Sequence, residues 1–347
     1  MKKIVPYGSW ESPITAQLVA AATPALDQPV LDGSDVYWLE NRPEEGGRSV
    51  IVRLDEHGKR CDMLPASFSA RSRVHEYGGT CYIVAEGILY FVAQHNQRIY
   101  QLDTRAQNPV PQALTPDGQG YRFADLCIDP GRNRLLCVAE QHVDNDLLPD
   151  KPPTNFIAAV SLAAHANGQT RAVEVVVSGA DFYAYPRLSP DHTQLCWLSW
   201  DHPSMPWYGS ELWQANLNES GQVSRCQKIA GGPEEAIFQP QWSPAGELFF
   251  VSDRSQWWNL YRFNPTSGVM PVAPLNAEFA TPLWTLGMST YAFCTENRII
   301  CCYTQNGSWQ LAMIDYETVL DSPGSSGTAR LTIIDSPYTQ IAAVTAQ

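Results

Sequence analysis

The sequence has few charged side chains, and positive ones are the scarcer kind. Charged residues make up 17% of the chain, and 23 Lys and Arg against 36 Asp and Glu leave a formal net charge of −13. A protein that tracks nucleic acid needs a basic stripe to release counterions from the phosphates. Anionic membrane surfaces likewise attract basic segments. We therefore expect neither nucleic acid nor a membrane as a partner.

Long apolar runs are missing as well. No stretch approaches the ~20 apolar residues of a membrane span. The opening residues, MKKIVPYGSW, reach Pro6 and Gly8 before an export-signal core can form. The 44% of hydrophobic residues still provides ample apolar surface to bury, which excludes disorder. We expect a folded, cytoplasmic protein.

Motifs for metals, cofactors and hydrolysis are also absent. The nine cysteines contain no C-x-x-C pair and the seven histidines no H-E-x-x-H, so nothing local begins a zinc site. There is no G-x-S-x-G nucleophile elbow and no glycine-rich phosphate loop. Most cysteines lie in strand-like runs, where a thiol behaves as a small buried hydrophobe. We predict no metal, no cofactor and no complete active site.

What the sequence does contain is a repeat. A short run rich in aliphatic and aromatic residues recurs six times, at a mean spacing of about 53 residues. A strand ending in a tight turn precedes each run, and an alternating strand and a more polar strand follow it. Four antiparallel strands per repeat are typical of propeller blades. The six runs are residues 35–40, 88–93, 134–140, 194–200, 247–253 and 298–304.

The repeats predict an all-β fold, a β-propeller of four-stranded antiparallel blades. Six blades are readable, and residues 339–344 (TQIAAV) are interpreted as the first strand of an incomplete seventh. The propeller domain spans residues 25–347. Residues 1–24 are expected to form an N-terminal segment with one short helix, which Ser12 and Pro13 can cap and start.

One polar grouping, RVHEYGG, leads into the second blade. His75, Glu76 and Tyr77 supply a potential base, an acid and a phenol, followed by two glycines. Because the first strand of each blade lines the central channel, these three side chains are candidate substrate contacts. Alternatively, Glu76 and His75 only satisfy buried backbone groups, and the glycines allow a bulge.

A second grouping, AGGPEEAIFQPQW, leads into the fifth blade. It contains the adjacent carboxylates Glu234 and Glu235, which are candidate contacts for a cation such as a free α-amino group. Each proton of an amine needs an acceptor, and clustered carboxylates in a cleft strengthen the attraction. The alternative is an ordinary solvated acidic turn.

A third feature is the aromatic loop at residues 198–213. Its Trp200, Trp207 and Tyr208 are candidates for contact with a partner domain. Equally, they can cover the edge of a blade.

These segments together resemble the N-terminal propeller of prolyl-oligopeptidase-family (S9) serine peptidases, in the acylaminoacyl-peptidase and dipeptidyl-aminopeptidase branch. The resemblance runs nearly end to end, starting at residues 6–22. It implies a propeller set over an α/β-hydrolase domain of the same polypeptide, which carries Ser, Asp and His. That domain would lie beyond Gln347, so no residue here receives a catalytic role, and the chain is expected to be a truncated front part. The matching blocks are VHEYGG, PRLSPDHTQLCWLSWDHPSMPW, AGGPEEAIFQPQWSP and SDRSQWWNLYR.

The resemblance implies a non-catalytic part of a peptidase that gates the access of short peptides. The alternative is a free-standing propeller of the TolB type that serves as a binding scaffold. The missing export signal and the unfinished last blade count against that alternative.

We expect the 347-residue chain to hydrolyse no aminoacyl or peptidyl p-nitroanilide, because it lacks a nucleophile elbow. A fluorophosphonate probe should label none of its serines, as measured by mass spectrometry of the digested protein. A known serine hydrolase treated alongside serves as the control. Stoichiometric labelling of one serine would contradict the expectation.

Overall fold

The computed structural model describes residues 4–16, 18, 24–142, 152–163, 170–316 and 329–347. These residues form twenty-four strands in six four-stranded antiparallel sheets, and each sheet uses four strands that are consecutive in the chain. Two single 3-10 turns, Pro43–Glu45 and Pro130–Arg132, accompany them. No helix in this part of the chain is long and apolar enough to cross a membrane. The predicted all-β fold with six propeller blades is confirmed.

The blades follow one another in chain order. Blade 1 is β1 (Ala25–Asp32), β2 (Asp35–Arg42), β3 (Arg48–Leu54) and β4 (Arg60–Asp62); blade 2 is β5 (Tyr82–Ala85), β6 (Ile88–Val92), β7 (Ile99–Asp103) and β8 (Gln112–Ala113); blade 3 is β9 (Tyr121–Asp129), β10 (Arg134–Gln141), β11 (Thr154–Ser161) and β12 (Val173–Val177). Blade 4 is β13 (Phe182–Leu188), β14 (Gln194–Trp200), β15 (Ser210–Leu217) and β16 (Val223–Gly232); blade 5 is β17 (Ile237–Trp242), β18 (Leu248–Ser252), β19 (Asn259–Asn264) and β20 (Gly268–Pro271); blade 6 is β21 (Tyr291–Thr295), β22 (Arg298–Gln305), β23 (Ser308–Asp315) and β24 (Arg330–Ile334).

The six apolar runs of the sequence are the second strands of the blades. β18 is buried at every position, and β10 at every position except its last. A strand covered on both faces has no polar side, which explains why the runs are continuous rather than alternating. The fourth strands are short or polar, as expected for an edge that faces water.

Two apolar cores hold the blades together, and blade 3 belongs to both. In β10, Leu136 and Val138 pack into the core shared with blades 4, 5 and 6, whereas Leu135 and Cys137 pack into the core shared with blades 1 and 2. Successive side chains of a strand point to opposite faces, so one buried strand serves two neighbours. Among the described residues, neither core joins blade 6 to blade 1.

Blade 1 carries an ion-pair network on the face turned away from blade 2. In β2, Leu39 points into the core, while the alternating Trp38, Glu40 and Arg42 point the other way. Glu40 is buried and accepts hydrogen bonds from Arg42 at 2.9 Å, Arg60 at 2.6 Å and Trp38 Nε1 at 2.8 Å. A buried carboxylate is costly unless it is paired in this way. On the same face Val50 and Val52, opposite Glu40 and Trp38, are also buried.

Four first strands contain a bulge at which a residue other than glycine has a positive φ. These residues are Gln28 in blade 1, Asp125 in blade 3, Tyr185 in blade 4 and Gln239 in blade 5, with φ between 46° and 55°. Such a conformation costs about 1–3 kcal/mol and persists only where the surroundings hold it. Here it turns a polar side chain toward another blade.

In blade 1 the bulge binds the first strand of blade 2. Gln28 Oε1 accepts the backbone N–H of Cys81 at 2.9 Å, and Gln28 Nε2 donates to the carbonyl of Gly79 at 3.3 Å. The hydroxyl of Tyr82 donates to the carbonyl of Gln28. We call this arrangement a Gln–Tyr clasp.

Blades 5 and 6 are joined by a second Gln–Tyr clasp. Gln239 Oε1 accepts the N–H of Thr290, its Nε2 donates to the carbonyl of Tyr291, both at 2.7 Å, and Tyr291 Oη donates back to the carbonyl of Gln239 at 2.8 Å. Gln239, Thr290 and Tyr291 are all buried. The same two residue types therefore join the first strands of neighbouring blades at two places in the ring.

Blade 3 uses a carboxylate at the corresponding bulge. Asp125 Oδ2 accepts the N–H of Tyr185 in blade 4 at 2.7 Å, and its own N–H donates to the carbonyl of Thr80 before blade 2 at 2.9 Å. Arg187 pairs with the other oxygen of Asp125. Three consecutive blades are thus linked through one buried acid.

The expected first strand of a seventh blade is not formed. Residues 335–347 contain no strand. A strand requires a ladder of backbone partners, and here one residue is bonded to one other: the N–H of Val344 donates to the carbonyl of Ser289 at 3.4 Å, and the Ser289 hydroxyl donates to the Val344 carbonyl at 2.9 Å. The segment therefore lies against the connection that precedes blade 6.

The expected N-terminal helix is described only in part. The Ser12 hydroxyl accepts the N–H of Ile14 at 3.1 Å, and the Thr15 hydroxyl accepts that of Leu18 at 3.0 Å. Residues 17 and 19–23, over which the helix would continue, lie outside the described residues.

Replacing Gln239 by leucine should lower the free energy of unfolding by about 3 kcal/mol. The change leaves the buried N–H of Thr290 and carbonyl of Tyr291 without their side-chain partner, and each such loss costs about 1–3 kcal/mol. Urea denaturation followed by tryptophan fluorescence measures the effect.

Gln256→Leu is the matched control for this variant. Gln256 also has a positive φ, 67°, but its side chain is exposed. The control should change stability by less than about 1 kcal/mol. An equal loss of unfolding free energy in the two variants would show that the effect comes from backbone strain and not from the loss of the clasp.

Candidate functional site

The candidate site residues lie on one face of the propeller. In every blade the first strand begins, the second ends and the third begins on the same side, because successive strands are antiparallel. We call this side the front face. It carries all eight residues singled out in the sequence, namely His75, Glu76, Tyr77, Trp200, Trp207, Tyr208, Glu234 and Glu235.

His75 lies between the connection to blade 2 and the side chains of blades 3 and 4. Its backbone N–H donates to Glu140 at 3.3 Å, and its ring packs edge-on against Phe182, with centroids 5.1 Å apart, and against Trp200 at 6.1 Å. Burial lowers the pKa of His75, although Glu140 and Asn155 act in the opposite direction. Burial therefore favours the neutral form of the imidazole.

Glu76 is exposed and paired. It accepts a hydrogen bond from Arg122 at 2.6 Å and one from Arg73 at 3.2 Å. The hydrogen bond from Arg122 is the main reason that the pKa of Glu76 is lowered. Its carboxylate thus ties the connection between blades 1 and 2 to blade 3.

Exposed aromatic rings cluster near the centre of the front face. Tyr77 and Trp284 are 6.0 Å apart, Trp284 and Trp207 4.5 Å, and Trp207 and Tyr208 6.2 Å. Tyr77, Trp284 and Tyr208 are each more than half exposed. We call these four residues the aromatic cluster. Exposed aromatic surface of this kind is common where a protein contacts a partner or a ligand.

Trp200 does not join the aromatic cluster. It is 8% exposed and stacks on Phe182 with centroids 5.5 Å apart. Its ring is covered by Phe182 and His75, so of the three aromatic candidates in this loop Trp207 and Tyr208 present surface on the front face.

A short segment, residues 284–288, crosses toward blade 2. Leu286 pairs with the glycines before blade 2: its carbonyl accepts the N–H of Thr80 at 2.8 Å, and its N–H donates to the carbonyl of Gly78 at 3.1 Å. Tyr185 Oη donates to the carbonyl of Met288 at 2.7 Å. Blades 2, 4 and 6 meet here, so the segment lies across the channel mouth, and we call it the strap.

Glycine is required where the strap meets blade 2. A Cβ on Gly79 would lie 2.5 Å from the carbonyl oxygen of Leu286. This contact explains the second glycine of RVHEYGG as a close backbone approach rather than only a bulge.

A cavity of about 520 Å³ opens beside the strap. It is bounded by the first strand of blade 1, by the connection before blade 2, by the strap and by residues 340–343. Tyr77, from the aromatic cluster, lies on its wall. The cavity is a space beside the channel mouth into which an extended peptide could reach.

Glu234 and Glu235 have different surroundings. Glu235 accepts hydrogen bonds from the Ser252 hydroxyl at 2.6 Å and from Arg254 Nε at 2.9 Å. Glu234 is exposed and forms no ion pair with any described residue. The two carboxylates are thus not an equivalent pair, and Glu234 is the one with free oxygens.

All nine cysteines are free, and burial raises the pKa of Cys81 and of Cys302 to about 12. In the described ranges no three His, Cys, Asp or Glu side chains are grouped to hold a metal ion.

Sequence reasoning missed Trp284, the strap and the arginines that pair the carboxylates. A usable signal existed for the strap: residues 63–81 and 272–290 are the two longest connections between strands, and long connections in a compact domain are often functional. The pairing of Arg122 with Glu76 joins residues 46 positions apart and has no local signal.

The proteins that match this chain are solved structures. No family model and no curated protein matches the chain. A puromycin hydrolase, crystallised as a mutant complexed with PGG, is 34% identical, with a TM-score of 0.86 over 99% of this chain and 52% of that one. A Mycobacterium tuberculosis puromycin-hydrolysing peptidase is also 34% identical, with a TM-score of 0.84 over the same shares.

More distant structures share the fold alone. Prolyl oligopeptidase B of Galerina marginata is 13% identical, with a TM-score of 0.59 over 84% of this chain and 42% of that one. The chain spans about half the length of the two puromycin-hydrolysing proteins.

The lowered pKa of His75 predicts a pH dependence of stability. The folded state favours the neutral imidazole, so this contribution is present above the unfolded pKa of about 6.5 and is lost as the pH falls toward the folded value. Thermal unfolding should show a slope of at most ~1.4 kcal/mol per pH unit from this one group.

His75→Asn should flatten that slope below pH 6.5, since asparagine tolerates the positive φ of 51° and does not titrate. His57→Asn, at an exposed histidine, is the control and should leave the slope unchanged. An unchanged slope in His75→Asn would assign the pH dependence to other groups.

Proposed function

We propose that the chain is the non-catalytic part of a prolyl-oligopeptidase-family (S9) serine peptidase. The premise is the match over 99% of the chain, which confirms the predicted resemblance to the propeller of these peptidases. The observation that carries the proposal is the 34% identity to puromycin hydrolase over about half of that protein. The remaining half would supply the catalytic Ser, Asp and His in an α/β-hydrolase domain of the same polypeptide.

The front face is the proposed contact with the hydrolase domain. The first strand of blade 1 begins on this face at Ala25, and the last strand of blade 6 ends on it at Ile334. A domain continuous with the propeller is therefore most simply placed over the front face. Trp207 and Tyr208 provide exposed aromatic surface for that contact.

The strap supports a role in gating. It lies across the channel mouth on the side proposed to face the catalytic domain, held by Gly78, Thr80 and Tyr185. A narrowed mouth excludes folded proteins by size and admits short peptides, without needing binding energy. We propose peptide substrates of the acylaminoacyl or dipeptidyl type, and a cytoplasmic location in keeping with nine free thiols.

The test is the activity of the intact polypeptide that contains this chain. It should release p-nitroaniline from short aminoacyl or peptidyl p-nitroanilides and cleave puromycin, whereas the 347-residue chain should do neither. An intact polypeptide with no peptidase or amidase activity toward these substrates would overturn the proposal.

Glu234 is the proposed ligand for the α-ammonium group of a substrate. A charge-assisted hydrogen bond contributes roughly 1.5–3 kcal/mol, and ~1.4 kcal/mol corresponds to a factor of ten in rate. In the intact polypeptide, Glu234→Gln should therefore lower kcat/KM for free-amine peptides about tenfold or more. The same peptides with an acylated N-terminus should be nearly unaffected.

Glu235→Gln is the control, because Glu235 is already committed to Ser252 and Arg254. It should lower stability and leave the ratio of free-amine to acylated turnover unchanged. If Glu234→Gln also leaves this ratio unchanged, Glu234 belongs to an ordinary acidic turn.

A further inference from the structure

A second cavity on the front face has the opposite charge to the rest of the protein. It encloses about 600 Å³ between blades 1 and 2 and is lined by Arg48, Arg71, Arg73, Glu76 and His95 among others. Three arginines against one carboxylate make this groove locally positive in a chain with a formal net charge of −13. A local reversal of sign concentrates anions at the groove.

The backbone fixes which side chains point into the groove. Residues 69–74 run beside the end of β6 in blade 2. There Ala70 forms an isolated β-bridge with Ala93, and the N–H of Arg71 donates to the carbonyl of Val92 at 3.0 Å. Ala70, Ser72 and Val74 are buried, so the alternating Arg71 and Arg73 point outward together. Two guanidinium groups two residues apart therefore share one wall.

The arginines of the groove differ in how far they are committed. Arg48 pairs with Glu45 at 2.6 Å, and Arg73 donates to Glu76 at 3.2 Å. The side chain of Arg71 forms no hydrogen bond or ion pair with any residue in the described ranges. All five N–H donors of that guanidinium are therefore open to a ligand.

Arg71 also lies where the groove meets the cavity beside the strap, since it lines both. A peptide that reaches into the channel cavity can therefore place one end beside this guanidinium. The planar guanidinium of an arginine can donate two parallel hydrogen bonds to a carboxylate. It cannot form the same charged, bidentate pair with an amide.

We propose that Arg71, with Arg73 beside it, binds the C-terminal carboxylate of a short peptide in this groove. The proposal rests on the proposed function, since it names the end of the peptide substrate that the propeller recognises. It assigns the free carboxylate a role in retaining short peptides on the front face.

The test is direct binding to the 347-residue chain, measured by isothermal titration calorimetry at low salt. The probes are the tripeptide Ala-Gly-Phe and its C-terminal amide. The acid should bind, and the amide should bind about tenfold more weakly or not at all, because ~1.4 kcal/mol of lost interaction is a factor of ten. Arg71→Gln should lower the affinity for the acid by a similar factor, and Arg71→Lys should lower it by less.

Arg225→Gln is the matched control, because Arg225 is an exposed arginine in the outer strand of blade 4, and it should leave the affinity for the acid unchanged. Equal affinity for acid and amide, or wild-type affinity in Arg71→Gln, would overturn the proposal. Binding of inorganic phosphate at Arg71 without binding of the tripeptide would also overturn it.

The result is independent of the peptidase assay. If the intact polypeptide cleaves peptides but Arg71→Gln binds the acid normally, only the carboxylate site is wrong. If the intact polypeptide is inactive toward peptides, the proposed function fails by its own test.

Discussion

The inner ring of this propeller depends on polar side chains that cross from one blade to the backbone of another. Gln28 and Gln239 make this contact through Gln–Tyr clasps, and Asp125 makes it through a carboxylate. Each sits at a bulge with positive φ, a conformation whose cost is offset by the buried hydrogen bonds that it aims. Buried backbone groups of the first strands, which have a neighbour on only one side within their own sheet, are satisfied in this way.

The clasps also position the front face. The clasp of Gln28 holds Gly79 and Cys81, and the clasp of Gln239 holds Thr290, so the two long connections leave the ring at fixed places. They then meet at the strap, where Gly79 permits close contact with Leu286. The aromatic cluster, the channel cavity and the arginine groove are all built on these two connections and their immediate neighbours. The same hydrogen bonds that order the blades therefore order the surface proposed to receive a peptide.

The charged side chains on that surface differ in whether they are already paired. Glu234 is an uncommitted carboxylate in the turn whose Glu235 carbonyl accepts the N–H of Ser210, and Arg71 is an uncommitted guanidinium beside the channel cavity. Glu76, Glu235 and Arg73 are already paired, which neutralises their charge toward a ligand. A short peptide carries one ammonium and one carboxylate, so the proposed contacts at Glu234 and Arg71 correspond to its two ends.

The sequence by itself determined the blades. Apolar runs such as 247–253 and turns such as that at Ser189 repeat with the length of a four-stranded unit, and local pattern is enough to predict strands that are buried on both faces. It also identified RVHEYGG and the acidic turn, because unusual polar groups precede a first strand. Only the tertiary structure decided which groups are free. Glu235 is paired and Glu234 is not, Trp200 is covered and Trp284 exposed, and residues 339–344 form no strand. These outcomes depend on partners such as Arg122, Phe182 and Ser289, which are distant in sequence and leave no periodic signal.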